Sequence, residues 1–125
     1  MAAKTGMNFI ASKVADGDLS AKQYMLVKRG TVPEKDVAIA SVTGEIVYGV
    51  LQNKPADNEH ASVVEFGHTK VLLANSYGPG QILMAKSDGF ATARTAGLNV
   101  VGELISGASS GGIGELFFTM TYSQA

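Results

Sequence analysis

IVYGVLQNKPADNEHASVVEFGHTKVLLANSYGPGQILMAKSDGFAT, residues Ile46 to Thr92, decides the fold class. Short apolar runs alternate in it with Asn, Pro, Gly and Asp, the pattern of consecutive β-strands joined by tight turns. Titratable side chains are sparse within it and the standard active-site constellations are missing. The segment reads as one built to make a surface, which points to a binding or structural protein.

Within this stretch, Ala61 to Phe66 and Thr69 to Ala74 flank Gly67, where a bend or bulge would let the chain change partner. Gln81 to Ser87 and Phe90 to Arg94 flank Asp88-Gly89, a dipeptide that supplies the positive φ angles of a two-residue type I′ hairpin turn. Upstream, Gln23 to Lys28, Asp36 to Ser41 and Glu45 to Gln52 read as strands. Ser20 and Gln23 match a helix capping box, but Tyr24 to Val27 is a continuous β-rich apolar run with a Gly soon after, so a strand is expected. Downstream, Asn99 to Ile105 and Glu115 to Tyr122 bracket a Gly/Ser loop from Ser106 to Gly114. Leu116, Phe118, Met120 and Tyr122 fall on one face of the last strand. Leu98, Val101 and Ile105 have helical spacing, which Gly97 and Gly102 oppose. Met1 to Asp18 lack strand patterning and read as an extended N-terminal arm, residues 1–18, ahead of a β domain, residues 19–125. The expected fold is therefore all-β, a small single-domain barrel or sandwich of short antiparallel strands.

A chain of 125 residues fits one domain that buries roughly two-thirds of its unfolded surface. It is 46% hydrophobic and 17% charged, against about 25% charged for a usual soluble domain. So low a charge suits a surface that will be covered. Eleven acidic and ten basic residues are scattered along the chain for a net charge of −1, so composition carries no polyanion-binding footprint. There is no cysteine, which excludes disulfides, thiolate metal sites and a Cys nucleophile. The first residues hold no apolar run long enough for a signal-peptide core, and no later run approaches a membrane span. Synthesis in the cytoplasm as a soluble protein, with no membrane partner, is the expectation.

The strongest chemical motif is Gly107-Ala108-Ser109-Ser110-Gly111, which satisfies the G-x-S-x-G nucleophile elbow of α/β-hydrolases. That elbow needs a following helix and a later acid and histidine. Both histidines, His60 and His68, come earlier and a strand follows, so Ser109 is read as a loop residue. The same loop lacks the Lys-Ser/Thr ending of a phosphate-binding P-loop. His60, His68, Glu59 and Glu65 match no standard metal spacing. On one straight strand the two histidines would lie roughly 26 Å apart, so a shared ion would require the chain to fold back near Gly67. Asp16 with Asp18, and Asp57 with Glu59, sit where turn chemistry and solvation account for them. Lys28 and Arg29, with Tyr24 as a stacking platform, come nearest to a single-strand nucleic-acid contact. Two adjacent cations more often mark a solvated strand end. No catalytic, cofactor or metal residue is expected.

Gly49 to Ala56, Val63-Val64, Gly67 to Val71, Gly80-Gln81 with Leu83, and Asp88-Gly89 before Ala91 resemble the capsid cement proteins of tailed bacteriophages, also called head decoration proteins. Val101-Gly102-Glu103 and Gly114-Glu115-Leu116 look like the end of the same pattern. The resemblance covers Leu19 to Tyr122 and departs in the first eighteen residues and in the Ser106 to Gly114 loop. It implies a non-enzymatic, cofactor-free protein on the outer surface of a phage head, where it clamps neighbouring major capsid subunits. It also implies a homo-oligomer, with a trimer favoured. Met7, Asn8, Phe9 and Ile10 of the arm are the expected capsid contacts, with the arm docking as an added strand; the equal alternative is that Met7, Phe9 and Ile10 pack on the protein's own core. The alternative is a small β-barrel that binds a ligand or single-stranded nucleic acid.

Overall fold

The computed structural model describes residues 9–121, and among them there are nine strands and no helix. In chain order they are β1 (Phe9–Ala15), β2 (Leu26–Arg29), β3 (Asp36–Ile39), β4 (Gly49–Leu51), β5 (His60–Leu72), β6 (Ile82–Ala85), β7 (Ala91–Ala93), β8 (Val100–Ser106) and β9 (Ile113–Thr121). Five of them follow the order β1-β3-β2-β4-β5, and a β1–β5 pairing closes that ribbon into a barrel. The rest extend from β5 as β5-β9-β8-β6-β7, so β5 belongs to both layers. All strand pairings are antiparallel except β1 with β3, where Val14 lies beside Asp36 and Ala15 beside Val37.

Strand side chains point alternately to opposite faces, and in β2 and β4 both faces are covered. Val27 and Leu51 enter the barrel interior with Ala15, Val37, Ala61 and Val63. Their neighbours Leu26 and Val50 point the other way, into a second core with Val71, Leu83, Val101, Leu104, Leu116 and Phe118. Two short strands thus form the wall between two cores. This explains why Gly49–Leu51 is buried throughout while longer strands alternate.

β5 reaches both layers by bending. The Gln52 N–H donates to Ser62 O at 2.7 Å, and its side-chain amide donates to Thr69 Oγ1 at 2.7 Å. In a straight strand Ser62 and Thr69 would be about 23 Å apart, beyond the reach of one glutamine. The bend falls at Gly67, whose φ is 120°. Up to Phe66 the strand pairs with β1 and β4, and from Gly67 onward it pairs with β9. The change of partner expected at Gly67 is there, within one continuous strand.

Elsewhere the structure corrects the sequence reading. Phe9–Ala15, expected as part of a free arm, is a barrel strand, because its alternate residues Ala11, Lys13 and Ala15 line up with the inward face of β5. Met1 to Asn8 lie outside the described residues, as do the side chains of Met120 and Tyr122. β2 starts at Leu26 and not at Gln23, because Tyr24 sits at a left-handed φ of 67°. Hydrogen bonds to Leu51 O and from Leu72 N hold it there. Glu45 to Tyr48 precede β4 as a loop, since the Glu45 carboxylate accepts the Ser41 and Val42 N–H groups and curls the chain. The β6–β7 hairpin is present, but its turn is wider than two residues. Gly89 N–H donates to Lys86 O and Lys86 N–H to Phe90 O, with positive φ at Gly89 and not at Asp88. That is a three-residue loop with a glycine bulge, not a type I′ turn.

Val100–Ser106, with its partly helical spacing, is a strand that passes unusually close to β9. A Cβ on Gly102 would stand 2.1 Å from Phe117 O, and φ there is 157°. Gly102→Ala is therefore expected to cost roughly 2–4 kcal/mol through overpacking and backbone strain. Thermal unfolding of the purified protein should show the midpoint lowered by about 10 °C. Gly78→Ala, where nothing lies within 4 Å of the added Cβ, should leave it nearly unchanged.

Candidate interaction surface

Among the described residues the most exposed large apolar side chains are Phe9, 66% accessible, and Ile10, 62%. Consecutive strand residues ordinarily face opposite ways, but the β1–β5 register slips between these two. Phe9 stands opposite Phe66, and Ile10 opposite Val64. Two residues of β5 are thus matched by one step of β1, and this bulge turns both Phe9 and Ile10 to the outer face of the barrel. Phe66, itself on that face, bridges to the second layer. Ring centroids are 5.9 Å apart for Phe9–Phe66, 5.5 Å for Phe66–Phe117 and 5.2 Å for Phe117–His68. Offset and edge-on contacts at these spacings hold the rings in place relative to one another. The result is a fixed aromatic ridge running across β1, β5 and β9.

Beside the barrel mouth is an open groove of about 600 Å³ lined by Lys28, Arg29, Glu45, Ile46, Val47, Tyr48 and Glu65. Its cations are engaged locally. Arg29 lies 4.5 Å from the Tyr48 ring centroid and donates to Pro33 O, and Lys13 lies 5.1 Å from the same centroid and donates to Glu34 O. Lys28 donates to Ser41 Oγ. The aromatic next to Arg29 is therefore Tyr48, whose ring is taken up by two cations. Tyr24, expected beside them, instead has Lys70 over its ring at 5.7 Å.

The remaining candidates make local structural contacts. Ser109 accepts from Gly112 N–H through its carbonyl, and the neighbouring Ser110 hydroxyl donates to Ala74 O, so this loop is pinned to the β5 exit. A β-strand follows it, where an elbow requires a helix. His60 Nδ1 is 2.9 Å from Ser12 Oγ, and the His68 ring meets the Phe117 ring edge-on with centroids 5.2 Å apart. Among the described residues no three His, Asp or Glu side chains are grouped to hold a metal ion. Asp57 accepts from Gly17 N–H, Glu59 from Ala56 N–H and Asp18 from Ser20 N–H. Asp16 accepts from the Thr31 N–H at 2.7 Å and its hydroxyl at 2.8 Å, tying the end of β1 to the β2–β3 turn. Met7 and Asn8, expected with Phe9 and Ile10 as capsid contacts, lie outside the described residues.

No family model matches the chain, and no curated protein matches it in sequence. Among solved structures the fold is similar to the N base of head fiber gp8.5 in bacteriophage phi29. The TM-score is 0.70 over 90% of this chain and 95% of that one, at 15% sequence identity. At that identity the likeness is one of fold. It agrees with the all-β, single-domain architecture expected from the alternating strand and turn pattern.

The Thr31 N–H, and then the Thr31 hydroxyl, hold the Asp16 carboxyl below the usual carboxylate range. A carboxyl lowered on folding contributes stability above its unfolded pKa of about 3.9. That contribution is lost as pH falls through the lower folded value. Asp16→Asn should therefore reduce stability at neutral pH and flatten the acid limb below pH 4. Unfolding midpoints measured between pH 7 and pH 2 should converge for the two proteins at the acid end.

Proposed function

We propose that this protein is a non-enzymatic structural component of a bacteriophage head. It sits on the outer surface of the mature shell, binds neighbouring major capsid subunits and cements them, as a homo-oligomer with a trimer favoured. The reading is carried by the likeness of the whole fold to the base of a phage head fiber. The ridge of exposed Phe9 and Phe66 with half-buried Phe117 supports it by supplying an apolar contact surface whose rings already pack on one another. The low charge noted in the sequence fits a surface destined to be covered.

A cement protein works by mass action. Binding the assembled shell and not its dissociated parts stabilises the shell by an amount that grows with the logarithm of the ligand's excess over Kd. Several modest contacts presented by one rigid oligomer give an avidity that none has alone. Nucleic acid is not required, and the engaged rings of Tyr48 and Tyr24 fit that reading.

Co-sedimentation with expanded heads of the source phage lacking this protein tests the proposal. The wild-type chain should pellet with the heads, and light scattering of the free or released protein should give a mass above that of one chain. Phe9→Ser combined with Phe66→Ser should weaken head binding at least about tenfold, or 1.4 kcal/mol. Its unfolding midpoint should stay within a few degrees of wild type, since both rings are partly in solvent. Unchanged binding by the double variant, or monomers throughout, would overturn the assignment of the ridge or of the oligomer.

A further inference from the structure

The barrel is not closed along the full length of β1. One edge of β1 pairs with β5 from Phe9 to Val14, while β3 joins the other edge only at Val14 and Ala15. The direction of the backbone groups follows from the bonds at the closed end. Val14 N–H donates to Lys35 O and Asp16 N–H to Val37 O, on the β3 side, whereas Ala15 N–H donates to Glu59 O, next to β5. N–H groups alternate along a strand, and the register is regular from Ile10 onward. The N–H and C=O groups of Ile10 and Ser12 therefore point away from β5, beyond the start of β3. Among the described residues no strand lies on that edge. Native sheets usually blunt such an edge with charge, proline or a covering loop. Here it is flanked by the exposed side chains of Phe9 and Ile10.

We propose that the outer edge of β1, over Phe9 to Ser12, receives an extended strand from a major capsid subunit, an inference that rests on the capsid reading above. The backbone of Ile10 and Ser12 would pair with the incoming strand, and the ridge would pack its alternate side chains. The size of the edge argues against a second copy of this chain as the occupant. Four residues span only about 13 Å. A contact that short falls well below the roughly 800 Å² per partner of a stable free-standing pair. A shell subunit held in place by its own neighbours, and presented in many copies, needs no such area.

Two measurements on the full-length protein test this. Proline at position 10 removes an N–H that points away from β5, so it suits this edge and leaves the β1–β5 ladder intact. Ile10→Pro should keep the unfolding midpoint within a few degrees and lose at least tenfold in affinity for expanded heads. Ile10→Ala, which keeps the N–H, should lose threefold or less. Equal losses in the two variants, or wild-type binding by Ile10→Pro, would overturn main-chain pairing while the capsid reading stands. Hydrogen exchange on the wild-type complex needs no variant and decides the matter should Ile10→Pro fail to fold. The Ile10 and Ser12 amides should slow at least tenfold on bound heads, while the already paired Ala11 amide changes little. Unaltered exchange at Ile10 and Ser12 would overturn the proposal, and failure of the wild-type chain to bind heads at all would overturn both readings.

Discussion

Everything in this fold hangs on β5 serving two sheets. Up to Phe66 it completes the barrel with β1 and β4, and beyond Gly67 it founds the second layer with β9. Because one strand carries both duties, its inward side chains are divided, with Ala61 and Val63 in the barrel core and Val71 in the other. The two-faced strands β2 and β4 can then be buried on both sides. Each apolar side chain so enclosed is worth about 1.5–3 kcal/mol relative to exposure. A chain of this length gains by sharing a wall, since two separate cores would each leave one face of β2 and β4 wet. The Gln52 side chain, which reaches Thr69 from beside Ser62, locks the bend from the inside.

The ridge is a by-product of the same geometry. The β1–β5 bulge lies immediately before the corner, so Phe66 is the last barrel residue of β5 and faces Phe9 on one side and Phe117 on the other. A flat barrel without the corner would not bring β9 close enough for Phe117 to join. Rings fixed by one another lose little rotamer freedom when a partner arrives, which lowers the entropic cost of binding relative to a floppy apolar tail.

Much of this was readable because it is local. Gly67 between two apolar runs marked the partner change, and the turn residues around Asp88-Gly89 marked the hairpin. Its turn type was not readable, because positive φ at Gly89 alone is as compatible with a Gly bulge as with a two-residue turn. Tyr24 shows the other limit. Nothing in an apolar β-rich run announces a left-handed tyrosine, whose φ is held by bonds to distant Leu51 and Leu72. Phe9 and Ile10 stood out as apolar residues in an unpatterned stretch. That they share a face depends on register against β5, fifty-odd residues away, which no window of sequence contains.

That register also changes what kind of contact β1 can make. A free arm could wrap a partner and order itself on binding, at the cost of its conformational entropy. β1 has no such freedom, because Ala15 belongs to the barrel core and Asp16 is tied to Thr31. Peeling it away would open the barrel and expose Val37, Ala61 and Val63, which pack with Ala15. A partner docking on this strand would therefore meet it in place, as one rigid rim of a closed domain. Binding energy would then be spent on contacts and not on ordering, and any load applied to β1 would pass into β5 and so into both sheets.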